Sequence, residues 1–194
     1  MKRCGWCKGD DLYEAYHDEE WGRPCTDDQK LFEFLILEGA QAGLNWLTIL
    51  KKREGYRKLF ADFNVTKVAL FSDKNVEKLL TDPAIVRNRL KVNSAVKNAN
   101  SFLNVQEDFG SFTHYVWQFV DGKPIDNRFS SLTQVPVTTK ESDQLSKDLK
   151  KRGFSFVGST IMYAYMQAMG LVNDHLVSCG CYQDISEKNK FFSL

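Results

Sequence analysis

Apolar residues along this chain recur three and four positions apart almost throughout, and strict alternation is rare. A chain patterned in this way cannot hide its apolar side chains on sheet faces and must pack helix against helix, so the fold class it predicts is all-α. Its 194 residues, 43% hydrophobic and 13% aromatic, suffice for one helical core or two closely packed lobes. Disordered, collagen-like and low-complexity architectures are excluded by the same figures.

Local signals place the helices. Thr26 with Gln29 forms a capping box ahead of Leu31, Phe34, Leu35 and Leu37, and Asp27 and Asp28 suit the positive end of that helix. Further helices are expected over about 44–52, 55–62, 65–71 (capped by Asn64), 74–80 (capped by Asp73) and 86–105. After Ser111 a helix carries Phe112, Tyr115, Val116 and Phe119 and stops at Asp121-Gly122-Lys123-Pro124, and two more cover about 139–152 and 157–170. Residues 124–138 show no periodicity and read as a long irregular connection. From Gly153 to Asn173 there are 21 residues without a charge, but Gly158, Ser159, Thr160, Gln167 and Gly170 interrupt them. That stretch is expected to be a central buried helix, with no membrane span. Met1-Lys2-Arg3 leads into Cys4, Gly5 and Trp6 and not into an apolar leader, so the expected compartment is the cytoplasm.

The net charge is +1, yet it is unevenly spread: residues 1–50 carry 5 basic and 10 acidic side chains, and residues 51–100 carry 12 and 5. Lys51, Lys52 and Arg53 follow one helix, and Arg87, Arg89, Lys91 and Lys97 follow the turn Asp82-Pro83-Ala84. A helix, a short turn and a second helix with free amide groups can seat a phosphate backbone, although charge runs are usually solvated faces.

Five cysteines, an odd number without a secretory leader, argue against a disulfide framework. Cys4 and His17 lie near one end of the chain, and His175 and Cys179 near the other; on a helix the latter pair would share a face. Two Cys and two His would close a tetrahedral zinc site and staple the ends together. Cys4 and Cys7 with Cys179 and Cys181 would make a four-cysteine site instead, and Cys4-Gly5-Trp6-Cys7 also has the form of a thiol redox motif, which requires a preceding strand. Ordinary buried thiols are the remaining reading.

Tyr13, Tyr16, His17 and Trp21 fall on one helical face, which reads either as core or as a pocket wall. Glu38 interrupts an apolar run, and its companions Gln41, Asn45 and Trp46 would share its face if the helix continued past Gly39 and Gly43. A carboxylate there has to be paired, solvated in a cleft, or bonded to backbone.

These segments together resemble bacterial 3-methyladenine DNA glycosylase type I, the Tag family. The resemblance is carried by Arg3-Cys4-Gly5-Trp6, Tyr13-x2-Tyr16-His17-Asp18, Glu20-Trp21-Gly22, Leu37-Glu38-Gly39, Gln41-Ala42-Gly43-Leu44-x-Trp46, Lys150-Lys151-Arg152-Gly153-Phe154, Phe156-Val157-Gly158 and Gly170-Leu171-Val172-Asn173-Asp174-His175. It implies a single domain over 1–194, with a helical core at about 26–170, a helix-hairpin-helix at about 79–97, and zinc-linked termini at 1–25 and 171–194. It implies one structural Zn2+ on Cys4, His17, His175 and Cys179, with Cys7, Cys25 and Cys181 outside the ligand set. The implied partner is double-stranded DNA carrying 3-methyladenine, and the chain is expected to be a monomer. Glu38 is then the acid that accepts from the adenine edge, Trp46 the stacking plate, and Tyr13, Tyr16, Trp6 and Trp21 the remaining wall. Gly43 and Leu44 would fill the gap left by an extruded nucleotide, and Arg87, Arg89 and Lys91 would meet DNA. No Schiff-base lysine and no strand cleavage are expected. The turn Asp82-Pro83-Ala84-Ile85 departs from the Gly-x-Gly of many such hairpins, and the tail after Tyr182 matches nothing in the family.

Overall fold

Ten consecutive buried residues, Leu31 to Ala40, mark the axis of the fold. They belong to α2 (Asp28–Gln41), around which the rest of the computed structural model, describing residues 1–194, is arranged. Before it comes α1 (Asp11–Glu19); after it come α3 (Trp46–Leu59), α4 (Val65–Ala69), α5 (Asp73–Thr81), α6 (Arg89–Phe109) and α7 (Phe112–Trp117). The chain closes with α8 (Lys140–Lys151), α9 (Ser159–Ala168) and α10 (Gly180–Asn189). Helices α9, α3, α6 and α7 all pack on α2. Burial of each large side chain there, Phe32, Phe34 and Leu35 among them, contributes roughly 1.5–3 kcal/mol. The uncharged 153–173 stretch supplies the expected buried helix, α9, which packs on α2 and is shorter than expected because Gly158 and Gly170 bound it. No helix is long and apolar enough to cross a membrane.

The helical expectation holds with one exception. Inside the connection at 124–138, β1 (Ile125–Asp126) runs parallel to β2 (Val172–Asn173), and the Asn127 N–H donates to the Asn173 carbonyl to extend the pair. This ties the connection to the segment that enters Asp174 and His175. The tail that matched no family pattern is also anchored: Phe192 packs on Trp117, and the Leu194 N–H donates to the Gly122 carbonyl.

Two helix starts differ from expectation by one residue. Asp27, not Thr26, caps α2, because its short carboxylate reaches the Gln29 and Lys30 amides at 2.8 and 3.1 Å. Asp28 turns away from its own helix and accepts from the Phe112 and Thr113 amides, thereby capping α7 across the core. Ser72, not Asp73, caps α5, in a reciprocal box with Asn75. Asn64 caps α4 as expected, and Ser111, after which a helix is expected, caps α7.

The break expected near Gly55 does not occur; α3 is one helix, and Gly55 serves contact between elements. A Cβ there would stand 2.5 Å from the Ala84 carbonyl oxygen. The turn between α5 and α6 is thus seated directly on α3, where Lys52 donates to the Pro83 carbonyl and the Val86 N–H donates to the Tyr56 hydroxyl. Replacing Gly55 with alanine is expected to lose about 1–3 kcal/mol of stability despite alanine's better helix propensity, because backbone has to move. Urea unfolding of both proteins checks this; an unchanged or raised midpoint would refute the close seat.

Candidate active site and metal cluster

The cavity begins with the helix ends. α2 stops at Gln41, Gly43 takes a left-handed φ of +80°, and Asn45 caps α3 by accepting from the Thr48 amide. Asn45 is therefore a cap and not a cavity residue. The reversal brings Trp46 back beside Glu38 and Gln41, so that residues from two helices line a common space. Trp6 and Tyr13 pack ring to ring at 5.0 Å, Trp6 meets the edge of Trp21 at 4.9 Å, and Tyr16 lies between Phe34 and Trp46. Trp21 sits beyond the end of α1, in a turn closed by its N–H on the Tyr16 carbonyl, and not on the helical face itself. The cavity holds about 370 Å³, within the range of small-molecule sites.

Two polar atoms in this wall lack partners. Glu38 is 3% exposed and its Oε2 has no hydrogen bond, and the Trp46 indole Nε1 is likewise buried and unpartnered. Such orphans are costly in a folded protein and mark a place where a ligand completes the set. Burial alone pushes the Glu38 carboxyl up to about 8, so the empty cavity holds it protonated at neutral pH. Behind the wall, Arg53 lies 4.9 Å from the Phe34 ring and is fixed by Glu33 at 2.6 Å and Glu20 at 2.8 Å. Its charge is thus balanced without drawing on Glu38.

The far side of the cavity comes from segments with no local signature: Leu132 and Val135 from the connection, Ala164 and Gln167 from α9, and Asp174 just after β2. Only the irregularity of 124–138 and the motif ending in Asp174-His175 hinted at them.

Cys4, His17, His175 and Cys179 lie together, all buried, with one ligand atom from each within 4.8 Å of the others. Cys179 Sγ is 3.5 Å from His17 Nε2 and 3.5 Å from His175 Nδ1, and Cys4 Sγ is 3.9 Å from the latter. A tetrahedral zinc ion with bonds of about 2.0–2.3 Å would need edges of about 3.3–3.8 Å. The outer ring nitrogens are both occupied: His17 Nδ1 donates to Asp18 at 2.8 Å, and His175 Nε2 donates to the Trp21 carbonyl at 3.0 Å. Each imidazole therefore turns a lone pair to the centre, as metal ligands require. The Cys4 thiol, hydrogen-bonded to Cys179, holds the latter well below the ordinary thiol range, and both imidazoles add to this. The cluster can hold a metal ion. His175 and Cys179 meet through a turn and not along a helix, since α10 begins only at Gly180. Cys7 is not in the cluster but donates to the Cys4 carbonyl, and Cys181 contacts Asp18, so no four-cysteine site is assembled. No strand precedes Cys4, as the redox motif would need.

The cluster and the cavity share a wall. Trp6 packs on His17 at 5.3 Å and Trp21 on His175 at 4.6 Å. Gly22, at φ +79°, allows this approach, since a Cβ there would stand 3.0 Å from the His175 ring.

The basic candidates are spread over the hairpin. Lys91 donates to the Ala40 and Ala42 carbonyls at 2.7 and 2.6 Å, closing the C-terminal end of α2. Arg89 pairs with Glu77, and Arg87 is exposed. Gly43 and Leu44, the latter 42% exposed, stand at the tip between Gln41 and Trp46.

With this geometry in view, comparison with known proteins is informative. The family model of methyladenine glycosylase matches residues 6–183. The chain is 51% identical over 182 residues to DNA-3-methyladenine glycosylase 1 of Escherichia coli strain K12, covering 94% of this chain and 97% of that one. It is 46% identical over 179 residues to DNA-3-methyladenine glycosylase of Haemophilus influenzae, covering 92% and 97%. Among solved structures it superposes, with a TM-score of 0.91 at 38% identity, on 3-methyladenine DNA glycosylase I from Staphylococcus aureus, solved to show how that protein recognises 3-methyladenine. That superposition covers 94% of this chain and 97% of the other.

Proposed function

Since the chain belongs to the methyladenine glycosylase family, we propose that it excises 3-methyladenine from double-stranded DNA by hydrolysing the N-glycosidic bond of an extruded nucleotide, the first step of base excision repair. The observation that carries this reading is the pair of orphaned atoms on Glu38 and Trp46 inside an otherwise aromatic cavity. Methylation at N3 leaves the adenine cationic and its glycosidic bond weak. Electron-rich faces of Trp46, Tyr16 and Tyr13 attract such a ring, and Trp6 and Trp21 complete the enclosure. Glu38 accepts from the exocyclic amine and, on doing so, exchanges its proton for a positive ligand.

The bond between C1′ and the base breaks with its electron pair leaving on the base, which becomes neutral. The sugar takes the positive charge until water adds, yielding a C1′ hydroxyl and a released proton. No lysine lines the cavity, so the reading includes no Schiff base and no strand cleavage. Gly43 and Leu44 fill the gap in the duplex, and the α5–α6 hairpin lies on phosphate through Arg87, Arg89 and the α6 amides, with Lys91 bracing the end of α2. One structural Zn2+ is held by Cys4, His17, His175 and Cys179; bound there, it supplies a rigid back wall for Trp6 and Trp21 and no chemistry. The reading further takes residues 1–194 as one helix-hairpin-helix unit, acting as a cytoplasmic monomer.

Chromatography of bases freed from methylated duplex DNA tests the proposal. Free 3-methyladenine is expected, 7-methylguanine stays in the polymer, and Trp46→Ala loses at least about tenfold in rate because stacking is removed. Duplex binding without release of any base would instead point to a DNA-binding module, a reading that leaves Glu38 and Trp46 unexplained.

A further inference from the structure

The cavity contains a second carboxylate. Asp174 lines it from a wall other than that of α2 and is 2% exposed. Both of its oxygens are held: Oδ1 accepts from Asn127 Nδ2 at 2.7 Å, and Oδ2 accepts from the Tyr163 hydroxyl at 2.6 Å and from Gln167 Nε2 at 2.7 Å. The three donors are uncharged, and none of the ion pairs in the molecule reaches Asp174. A divalent ion on two thiolates and two neutral imidazoles carries no net charge to offset it either. A buried acid with a full set of donors and no counter-cation is expensive as a structural device, because uncharged donors offset only part of the cost of burying its charge. Its worth lies in the charge it presents to the cavity.

We propose that Asp174 is the fixed anion of the site, the group that lowers the energy of positive charge as it passes from the methylated base to the sugar. The inference rests on the glycosylase reading and divides its electrostatics in two. Glu38 recognises the base edge and has no partner until the cavity is filled. Asp174 is held in place by Asn127, Tyr163 and Gln167 before any substrate arrives, so no reorganisation is required as the charge moves. When the glycosidic bond breaks, the base becomes neutral and C1′ positive, and a fixed carboxylate speeds the step by attracting the positive sugar more strongly than the positive base.

Charge can be separated from shape with two duplexes that differ only at the lesion, one bearing a pyrrolidine abasic analogue, cationic at the sugar, and one bearing its neutral tetrahydrofuran counterpart. The intact protein is expected to prefer the cationic duplex by roughly tenfold or more. In Asp174→Asn that preference collapses to near unity, binding of the neutral duplex is unchanged, and single-turnover release of 3-methyladenine slows by roughly 10²-fold. A merely structural Asp174 would weaken both duplexes alike and leave the preference intact, which would overturn the proposal. Should Asp174→Asn fail to fold, Gln167→Lys places a cation beside the carboxylate from the half-exposed side, and it too is expected to erase the preference; its retention would equally overturn the inference. Release of 3-methyladenine by the intact protein is read in the same assay, so failure of the glycosylase reading shows itself separately.

Discussion

Glu38→Gln is expected to lower single-turnover release of 3-methyladenine by roughly 10²–10³-fold while making the empty protein more stable at neutral and mildly alkaline pH. The two effects share one cause. Glu38 is buried, its Oε2 is unpartnered, and burial raises its carboxyl from an ordinary 4.5 to about 8. In the unfolded chain the same group ionises at its ordinary value, so between these two values folding has to take up a proton. The native state binds more protons than the unfolded one, and this group's contribution to stability, complete below about 4.5, is lost progressively as pH rises towards 8. Glutamine does not titrate. The melting temperature of Glu38→Gln should therefore gain on that of the intact protein by about 10 °C between pH 5 and pH 8. A gap that stays constant over this range would show that Glu38 is already ionised and stabilised in the empty cavity. Function here is maintained against stability, as is common where a site keeps a polar group waiting for its ligand.

Loss of a metal ligand should act in the opposite direction. Cys179→Ser is expected to abolish stoichiometric zinc and to lower the melting temperature by about 10 °C or more, since the energy of a structural ion is folding energy. Base release should then fall only as far as Trp6 and Trp21 lose their support, because neither sulfur nor imidazole faces the cavity. Cys7→Ser serves as the comparison: its thiol donates to the Cys4 carbonyl and lies outside the cluster, so metal content should remain at one per chain. Metal analysis beside calorimetry decides between the two ligand sets. Loss of zinc from the Cys7 variant would restore the four-cysteine alternative.

What could be read in advance from the chain divides along physical lines. Helix existence follows from apolar periodicity and was legible almost everywhere, as was the Asn64 cap, where the capping side chain is the only candidate. Where two candidates stand side by side, as at Thr26-Asp27 and Ser72-Asp73, sequence order cannot tell which carbonyl and side chain the first turn will use. Gly55 reads as a helix break because its partner, the Ala84 carbonyl, is distant in the chain. The near wall of the site was legible because Glu38, Gln41 and Trp46 are close in sequence and chemically conspicuous. The far wall was not. Leu132, Val135, Ala164 and Gln167 are ordinary residues whose role arises only from the packing of α9 and the β1–β2 pairing. Lys91 illustrates the converse, since a lysine in a basic segment is used to close the end of α2.

The shared wall between the metal cluster and the cavity also bears on when during synthesis the protein becomes competent. Trp6, Tyr13 and Tyr16 leave the ribosome first, yet Trp21, which packs on Trp6, rests on His175, which leaves nearly last. A nascent chain that has built α2 to α9 can bury most of its core, but it has no finished recognition site until residues beyond Cys179 have cleared the exit tunnel. Chains arrested before His175 lack the ring on which Trp21 rests, and are expected to release base more slowly than the full chain.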